Sequence, residues 1–422
     1  VIDHPFVQRL RGIRQLGFSH LPFPGATHTR YLHSLGAMHL AGRAFDAVFR
    51  DQPFSSGGRR RALRKCVRMA ALCHDLGHPP FSHAAEFAMP PLRQLGLSAY
   101  APAKVAARLD RRATHEDYTV GALTASDLSV RIAANMPFTA QHVAALISDE
   151  VTVPDDFFVD DGVDLRGLLS QLISSELDVD RLDYLVRDSY FTGARYGQID
   201  TNWLISHLSR HVEPDGRACL ALDSRALYAF DDYIIARFHM FVMVYFHQKS
   251  VVYEEVLRRY MESPGCTYAL PADMGAYLHC DDAQLWDHLR RADDPWAQRV
   301  VRFDPFKLVL EAHGTAAEAA LSQRVDVLRR AGIDAIPKAA TGVLLRPRKP
   351  GKPPIYVLDT PRNGQRRVRL LEDATRAFAP LDHQATISRI YVDRADIDRA
   401  RALVEDHWQQ RSLLAPSGPG RG

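Results

Sequence analysis

The chain has 422 residues with 46% hydrophobic and 24% charged side chains, a balance typical of folded globular proteins and unlike that of disordered ones. Its 53 Lys and Arg residues nearly balance its 50 Asp and Glu residues, and the net charge of +3 argues against a protein that coats nucleic acid while leaving room for a local basic pocket. Its 5 cysteines include no CxxC pair, so the composition favours neither a disulfide scaffold nor a zinc ribbon.

The sequence carries no sign of export or membrane insertion. Its most apolar stretch, Met240 to Phe246, is far shorter than the roughly 20 residues that a membrane-spanning helix needs. No signal peptide opens the sequence. Because it begins at Val1 without a methionine, we expect residues to precede it in the full-length protein. Few cysteines are typical of a reducing compartment, so we predict a cytoplasmic protein without a membrane partner.

The first 260 or so residues are predicted to be mainly helical. Apolar residues recur there every three or four positions, and Gly77 ends one of these stretches. Loops are predicted over 51–61 and 96–112, and a small hairpin is predicted to include 217–222. The predicted helices cover 29–50, 62–76, 116–148 (two helices), 164–190 and 225–262.

The sequence pattern changes after about residue 300, where short β-branched runs predict strands. The predicted strands are 307–310, 342–345, 355–358, 366–370 and 387–392, and a basic turn at 346–354 links two of them. A last helix over 395–410 precedes a Pro/Gly/Ser tail. We therefore predict a mainly α protein with a helical domain over 1–300, a smaller C-terminal α+β region over 301–410 and a disordered tail over 411–422.

The segment from Cys73 to His83 is the sharpest local feature, because it holds three histidines and one aspartate. His74 and Asp75 follow an apolar helical run, where a charged pair is costly to bury without a partner. Imidazole and carboxylate groups at the end of such a helix are typical ligands of a divalent metal ion. A solvated surface is the alternative explanation.

Two other segments supply further candidate ligands. His33 lies on an otherwise apolar helix, where a lone histidine is more often a satisfied core residue. A later helix carries four aspartates among apolar residues, namely Asp178, Asp180, Asp183 and Asp188. Surface pairing between Asp and Arg one turn apart is the simpler explanation. Four aspartates are nevertheless too many for one solvated face, so we expect some of them to point into a site.

His33, His74–Asp75 and Asp180 follow the order of the HD phosphohydrolase signature, and longer motifs resemble one branch of that superfamily. These motifs are QRLR at 8–11, QLG at 15–17, FPGATHTRYLHSLG at 23–36, HDLGHPPFSH at 74–83 and DVDRLDYLVRD at 178–188. Together they resemble the dNTP triphosphohydrolases from residue 2 to about 260, and more weakly through the C-terminal strands. The resemblance implies a helical HD phosphohydrolase core.

The resemblance implies a metal-dependent reaction in which water attacks the α-phosphorus of a dNTP and releases deoxynucleoside and tripolyphosphate. The implied metal ligands are His33, His74, Asp75 and Asp180. Two imidazoles and two carboxylates can neutralise a divalent ion and leave coordination positions for water and phosphate. The sequence does not distinguish Mn, Fe, Mg, Co, Ni and Zn.

Catalytic roles are implied for a second group of residues. His78 and His115 are expected near the α-phosphate, and Glu86 and His83 are expected to support acid–base chemistry. Transfer of a phosphoryl group to water needs charge neutralisation and a proton for the departing oxygen, which imidazoles with pKa values near neutrality can supply. Without the resemblance, His115 would be explained as a residue at a helix start and Glu86 as a surface residue.

Substrate contacts are implied in the same way. Arginines are expected to hold the phosphates, because a planar guanidinium donates two hydrogen bonds at once. Tyr184 is expected to pack on the sugar and disfavour a 2′-hydroxyl, and Asp188 to accept a hydrogen bond from the 3′-hydroxyl. Phe241 stands where the family has a pocket histidine, which leaves base preference open. The full set is Gln15, Arg30, Arg181, Tyr184, Asp188, Arg237 and Tyr245.

The resemblance also implies partners. Asp3, Gln8 and Arg11 match residues that bind an activating nucleotide at subunit contacts in some relatives, and relatives form homo-oligomers from dimers to hexamers. Two other functions stay open: an HD-type phosphatase that removes phosphates stepwise from another nucleotide, and a nucleic-acid-binding protein or nuclease. The basic clusters at 59–65 and 346–352 suggest the latter, although solvated loops explain them more simply. Walker A, GxGxxG and HExxH motifs are absent from the sequence.

Overall fold

A computed structural model describes residues 1–153, 155–314, 316–343, 351–359, 367–375 and 384–414. Helices dominate these residues, which confirms the predicted mainly α class. The helices are α1 (Pro5–Arg9), α2 (Arg30–Val48), α3 (Gly57–Cys73), α4 (Pro102–Val105), α5 (His115–Thr124), α6 (Asp127–Asn135), α7 (Ala140–Ile147), α8 (Arg166–Ile173), α9 (Val179–Thr192), α10 (Thr201–Ser206), α11 (Leu227–Met240), α12 (Gln248–Glu262), α13 (Met274–Tyr277), α14 (Asp282–Arg291), α15 (Pro295–Val301), α16 (Ala316–Arg330), α17 (Leu371–Ala374) and α18 (Ile397–Leu414).

Side-chain caps set several helix ends that the apolar pattern misplaced. Helix α3 begins at Gly57 rather than at residue 62, because the side chain of Ser56 accepts a hydrogen bond from the backbone N–H of Arg59. The predicted loop over 51–61 is therefore shorter than expected. Within the predicted loop over 96–112, the chain forms the short helix α4.

The long predicted helices are broken into shorter ones. The segment 116–148 holds α5, α6 and α7 rather than two helices. The segment 164–190 holds α8 and α9, because Asp178 caps the start of α9. The segment 225–262 holds α11 and α12, and the ring of His247 caps α12. Apolar periodicity continues across these breaks, which is why it did not reveal them.

The strands form three small sheets. They are β1 (Val159–Asp160), β2 (Val163–Asp164), β3 (Leu208–Val212), β4 (Ala218–Asp223), β5 (Lys307–His313), β6 (Ala335–Val343), β7 (Tyr356–Asp359), β8 (Arg367–Leu370) and β9 (Gln384–Val392). Strands β3 and β4 form the predicted hairpin, and β4 pairs in parallel with β7, with Leu222 opposite Val357. One sheet, in the order β3-β4-β7-β8, thus joins strands from both sides of residue 300, and the predicted boundary there stays a prediction.

The C-terminal region differs from the prediction in three details. Strand β6 begins at Ala335, well before the predicted strand at 342–345, and pairs with β9 in the sheet β5-β9-β6. Helix α16 lies between β5 and β6 and was not predicted. Helix α18 extends to Leu414, beyond the predicted end at 410. The predicted turn at 346–354 and the predicted tail lie partly outside the described residues.

A large apolar core between the helices supports the residues that carry chemistry. It includes almost fully buried side chains from α2, α3, α5, α9 and α11, namely Phe45, Leu63, Tyr118, Leu185 and Phe230. Because α2, α3 and α9 pack on this core, their polar residues are held at fixed positions.

Within the part of the chain that the structure describes, no helix combines the length and apolarity needed to cross a bilayer.

Candidate active site

Four side chains from three parts of the chain meet beside a cavity. His33 lies on α2, His74 and Asp75 follow α3, and Asp180 lies in the first turn of α9. His33 Nε2 is 2.9 Å from Asp180 Oδ1, 3.3 Å from His74 Nε2 and 3.7 Å from Asp75 Oδ2. His74 Nε2 is 3.4 Å from both Asp75 Oδ1 and Asp180 Oδ1. The structure thus brings together the four residues that the sequence predicts as metal ligands.

The other ring nitrogen of each histidine is held outside this cluster. His33 Nδ1 lies 2.8 Å from Asp183 Oδ2, and His74 Nδ1 lies 2.8 Å from the carbonyl oxygen of Ala71. A carbonyl oxygen only accepts, so His74 Nδ1 carries the proton and its Nε2 directs a lone pair into the cluster. Imidazole nitrogens and carboxylates in such proximity are the donor set of a divalent transition metal, so the residues present fit a metal ion.

The cluster attracts positive charge. Burial lowers the pKa of His33, but hydrogen bonds and charge from Asp180 and Asp183 outweigh burial and raise this pKa well above its ordinary value. Burial likewise lowers the pKa of His74, and the carboxylates of Asp75 and Asp180 reverse that shift. A site that raises the pKa of two buried imidazoles has a negative potential, which a bound cation would neutralise.

Arg30, in the first turn of α2, keeps Asp75 ionised. Its Nη1 lies 2.6 Å from Asp75 Oδ2, and its Nε donates to Ser82 Oγ at 2.8 Å. Burial alone would raise the pKa of Asp75, but the charge of Arg30 and the nearby imidazoles holds this pKa well below its usual range. A guanidinium has five N–H donors, and these contacts use two of them, so others remain for an anionic ligand.

Two glycines of the motifs allow the helices to approach this closely. A Cβ atom on Gly36, one turn after His33, would lie 1.9 Å from Asp183 Oδ1. A Cβ atom on Gly77 would lie 2.0 Å from the carbonyl oxygen of His115. A side chain at Gly77 would force the backbone of α5 away from the segment after α3, and one at Gly36 would displace the paired side chains of Asp183 and Arg187. The glycines in HSLG and HDLGH therefore have a packing role.

Three histidines surround Glu86 on the other side of Asp75. His115 Nδ1 forms a short hydrogen bond with Glu86 Oε1, His83 Nδ1 lies 3.0 Å from the same oxygen, and His78 Nδ1 lies 4.0 Å from it. The rings of His78 and His115 are stacked with centroids 3.9 Å apart. The four residues predicted to be catalytic are thus neighbours. They also have the composition of a cation site, although with a single carboxylate.

Charges in this second group are set by burial and by the histidines. Burial would raise the pKa of Glu86, but hydrogen bonds from His115 and His83 hold it well below its usual range. Burial lowers the pKa of His78 well below its ordinary value, and the charges of Arg30 and His115 lower it further. An ionised carboxylate and a neutral imidazole therefore lie side by side.

A cavity of about 370 Å³ connects the two groups with most of the predicted substrate contacts. Gln15, Arg30, Tyr184, Asp188 and Tyr245 all line it, together with His74, Asp75, His78, His83, His115 and Asp180. Tyr245 donates its hydroxyl to Asp188 Oδ2 at 2.9 Å, and the rings of Tyr184 and Tyr245 meet edge to face at 5.9 Å. The buried Oε1 atom of Gln15 has no hydrogen-bond partner among the described residues.

Arg181 and Arg237 are placed differently from the other predicted contacts. Neither is among the described residues that line the cavity, and both face Glu176. Arg237 Nη1 donates to Glu176 Oε2 at 2.8 Å, and Arg181 Nη1 lies 3.9 Å from Glu176 Oε1. Their phosphate contacts stay a prediction. Phe241 stacks on Phe246, with ring centroids 5.9 Å apart.

Two of the three residues predicted to bind an activating nucleotide contact each other. Arg11 Nε donates to Gln8 Oε1 at 2.8 Å, and Gln8 Nε2 donates to the carbonyl oxygen of Ile2. The guanidinium of Arg11 also lies over the ring of Tyr31, 3.7 Å from its centroid. Asp3 is exposed. Nucleotide binding at Asp3, Gln8 and Arg11 stays a prediction.

Part of the basic cluster at 59–65 is neutralised within the chain. Arg60 Nη2 and Arg64 Nη2 lie 3.1 Å and 2.6 Å from the carboxylate of Asp46. Arginines that are already paired with a carboxylate are less able to bind phosphates. These contacts favour a structural explanation of the cluster over nucleic-acid binding.

Sequence reasoning assigned no role to three residues that contact the site. Asp183 holds His33, Ser82 holds Arg30, and His28 lies 2.7 Å from Asp188 Oδ1 through its Nε2. The spacing of Asp183 from Asp180 was a usable signal, because residues one turn apart share a helix face. Nothing in the local sequence connects His28 to a residue that lies 160 positions later.

Residues 30–147 match the family model of the HD domain, which contains His33, the His74–Asp75 pair and the second histidine group. The chain therefore contains an HD domain over these residues. This finding confirms the resemblance that the motifs indicate.

Comparison of sequences finds both characterised and uncharacterised relatives of this chain. The chain is 35% identical over 194 residues to the uncharacterized protein YwfO of Bacillus subtilis, and 32% identical over 206 residues to the human deoxynucleoside triphosphate triphosphohydrolase SAMHD1. Each match covers 46% of this chain, but only 36% of YwfO and 30% of the human enzyme. The chain thus spans about a third of the length of these curated relatives.

Solved structures share the fold over nearly the whole chain. A hypothetical protein from Aquifex aeolicus is 25% identical, with a TM-score of 0.71 over 96% of this chain and 94% of that one. A phosphohydrolase from Bacteroides thetaiotaomicron is 23% identical, with a TM-score of 0.62 over 93% of this chain and 94% of that one. The C-terminal strands are therefore part of a fold that other proteins share.

Proposed function

We propose that the chain is a metal-dependent dNTP triphosphohydrolase in which water attacks the α-phosphorus, releasing deoxynucleoside and tripolyphosphate. The observation that carries this proposal is the convergence of His33, His74, Asp75 and Asp180 within 3.7 Å contacts at one end of a cavity. The similarity to the human enzyme over the same segment supports the choice of dNTP as substrate.

His33, His74, Asp75 and Asp180 would hold the divalent ion, which when bound supplies Lewis-acid charge at the phosphoryl group and acidifies water. The choice among Mn, Fe, Mg, Co, Ni and Zn is left open by this mixed nitrogen and oxygen donor set. Asp183 and the carbonyl oxygen of Ala71 fix which ring nitrogen each histidine offers.

The residues around Glu86 supply the proton chemistry. Glu86 is ionised and accepts a hydrogen bond from His115 Nδ1, so it orients this ring and leaves Nε2 for the substrate. As the bond between the α-phosphorus and the 5′-oxygen breaks, His115 donates its Nε2 proton to that oxygen. His78 is neutral and lies 3.3 Å from Asp75 Oδ1, where it borders the phosphoryl group. His83 shares Glu86 with His115.

The part of the cavity lined by Gln15, Tyr184, Asp188 and Tyr245 binds the deoxynucleoside. Tyr184 packs beside the sugar and leaves no space for a 2′-hydroxyl, while Asp188 accepts from the 3′-hydroxyl. The unpartnered Oε1 of Gln15 provides a second acceptor in the same cavity. Arg30 contacts the phosphates with its remaining donors, and Arg181 and Arg237 extend this positive charge beyond the cavity lining.

Product analysis tests the proposal. The protein is incubated with each dNTP and with each candidate metal in ¹⁸O-water, and the products are separated by chromatography. Equal amounts of deoxynucleoside and ¹⁸O-labelled tripolyphosphate are expected, because the water oxygen joins the α-phosphorus. Asp180→Asn serves as the inactive control. Absence of turnover with every dNTP and every metal would refute the proposal.

Stepwise release of orthophosphate would instead favour the second candidate, an HD-type phosphatase that acts on another nucleotide or a modified nucleotide. The metal cluster and Arg30 suit both reactions equally, whereas Tyr184 and Asp188 favour the dNTP reaction. A cytoplasmic location, a homo-oligomer and an activating nucleotide bound near Gln8 remain predictions. Light scattering with and without added nucleotide measures the last two.

A further inference from the structure

Asp188 is a buried carboxylate with a defined partner on each oxygen. Only 1% of the residue is exposed, yet it lines the cavity. His28 Nε2 lies 2.7 Å from Oδ1, and the Tyr245 hydroxyl donates to Oδ2 at 2.9 Å. A carboxylate has about four acceptor positions, so two stay open for a ligand. Because both oxygens are tied, the direction of these open positions is fixed.

His28 is itself held in place from three sides. Its ring stacks on Phe191 with centroids 4.4 Å apart and an interplanar angle of 15°. Its carbonyl oxygen accepts a hydrogen bond from the backbone N–H of Gln15 at 3.0 Å. The preceding turn fits closely against α9, since a Cβ atom on Gly25 would lie 2.5 Å from the carbonyl oxygen of Phe191. His28 therefore connects Gln15 and Asp188, two polar residues of the same wall.

Among the described residues, the ring of His28 forms a hydrogen bond only with Asp188. Only 3% of the residue is exposed, and its Nδ1 has no hydrogen-bond partner among the described residues. An unpaired buried nitrogen is costly, and an apolar side chain could pack against Phe191 without that cost. An ionised carboxylate only accepts, so the ring donates Nε2–H to Asp188. That bond is the interaction that distinguishes histidine from an apolar residue at this position.

We propose that His28 is a positioning residue that fixes the Asp188 carboxylate for recognition of the 3′-hydroxyl of the substrate. The inference rests on the proposed function and adds to it a residue that sets sugar specificity. With Tyr245 on one oxygen and His28 on the other, Asp188 cannot rotate away from the cavity. Loss of the His28 bond frees the carboxylate, and the 3′-hydroxyl then contributes less to binding and turnover.

Two variants of matched chemistry test this role. In His28→Gln the amide nitrogen is as many bonds from the backbone as Nε2 and can still reach Asp188, whereas in His28→Asn it is too short. The measured quantity is the ratio of kcat/KM for the fastest dNTP to kcat/KM for its 2′,3′-dideoxy analogue. Thermal unfolding and metal content are recorded for every variant, so that a loss of folding or of metal is distinguished from the loss of this hydrogen bond.

The ratio is expected to fall about tenfold in His28→Asn, the size of one hydrogen bond to a charged group, and to remain near the wild-type ratio in His28→Gln. An equal loss of activity on both substrates in His28→Asn, or a wild-type enzyme that does not distinguish them, would overturn the inference and leave the proposed function intact. Absence of wild-type turnover with every dNTP would refute both.

Discussion

Asp183 offers a direct test of how the metal cluster is built, because it supports the cluster without belonging to it. It accepts from His33 Nδ1 at 2.8 Å and also pairs with Arg187, whose Nε lies 2.8 Å from Asp183 Oδ2. We expect Asp183→Asn to weaken metal binding while leaving all four ligands present. The asparagine can still accept a hydrogen bond from His33, so the fold of this region should persist.

The expected size follows from the contact. Carboxylates that hold a metal-binding imidazole contribute about 10- to 100-fold to metal affinity, or about 1.4–2.7 kcal/mol. The His33–Asp183 contact belongs in this range because both side chains are nearly buried, with 0% and 7% exposed, so water screens the charge little. Burial lowers the pKa of His33 and Asp183 is one of the two carboxylates that raise it, so removing its charge makes the ring a weaker base and a weaker ligand.

The assay is competition for the metal ion between apo protein and a chelator of known affinity, with bound metal measured by elemental analysis. Asp215→Asn is the control, because Asp215 is exposed on the β3–β4 hairpin and pairs only with Arg217 among the described residues. Asp180→Asn, which removes a predicted ligand, should lower affinity further than Asp183→Asn. Wild-type affinity in Asp183→Asn would refute the supporting role, and wild-type affinity in Asp180→Asn would refute the metal site itself.

Three further variants test other parts of the structure. Glu86→Gln should lower kcat by about 100-fold or more with unchanged metal content, because His115 loses the carboxylate that orients its ring. Steady-state kinetics and elemental analysis check this. Glu176→Gln should lower the inhibition constant of tripolyphosphate by up to about fivefold at low ionic strength, because it removes a negative charge beside Arg181 and Arg237. Inhibition constants measured at two salt concentrations check this. Asp117→Asn should lower the free energy of unfolding by about 1–3 kcal/mol near pH 7, because Asp117 accepts from Tyr100 and Arg111. Burial raises the pKa of Asp117, but these partners outweigh burial and leave the pKa below its ordinary value. The stabilisation is therefore present above about pH 4 and is lost as the pH falls further. In denaturant titrations, the difference in free energy of unfolding between variant and wild type should shrink at lower pH.

Local signals in the sequence predicted the helices better than their ends. Periodic apolar residues located α2, α3 and α9, because each buries one face in the core. The helix ends depend on single polar residues such as Ser56 and Asp178, which cap only when the backbone turns at that point. The parallel pairing of β4 with β7 joins segments more than 130 residues apart and has no local signal.

The same distinction holds for the site. The four predicted metal ligands could be picked out because each lies in a short motif with a recognisable order, and the structure brings these four side chains together. His28 and Glu176 were not predicted, because their partners lie on α9 and α11 and are brought close only by tertiary packing. Arg181 and Arg237 show the converse case, since their residue type suits phosphate but the structure places carboxylates beside both. Arg181 lies nearest Asp178, and Arg237 pairs with Glu176.

The charge of the cavity wall predicts that nucleotide binding depends on the metal. Among the described residues, five carboxyl groups line the cavity, namely Asp75, Glu116, Asp180, Asp188 and Glu254, and burial raises the pKa of the last to about 7. The one guanidinium among these lining residues is that of Arg30, which Asp75 already neutralises. A polyphosphate entering this wall is repelled unless a divalent ion and protonated histidines offset the carboxylates. Metal-free protein should therefore bind a dNTP at least about tenfold more weakly than metal-loaded protein, most clearly at low ionic strength. Equilibrium binding of a non-hydrolysable dNTP analogue with and without metal measures this difference. Equal affinity in the two states would show that arginines outside the cavity, Arg181 and Arg237, suffice to hold the phosphates.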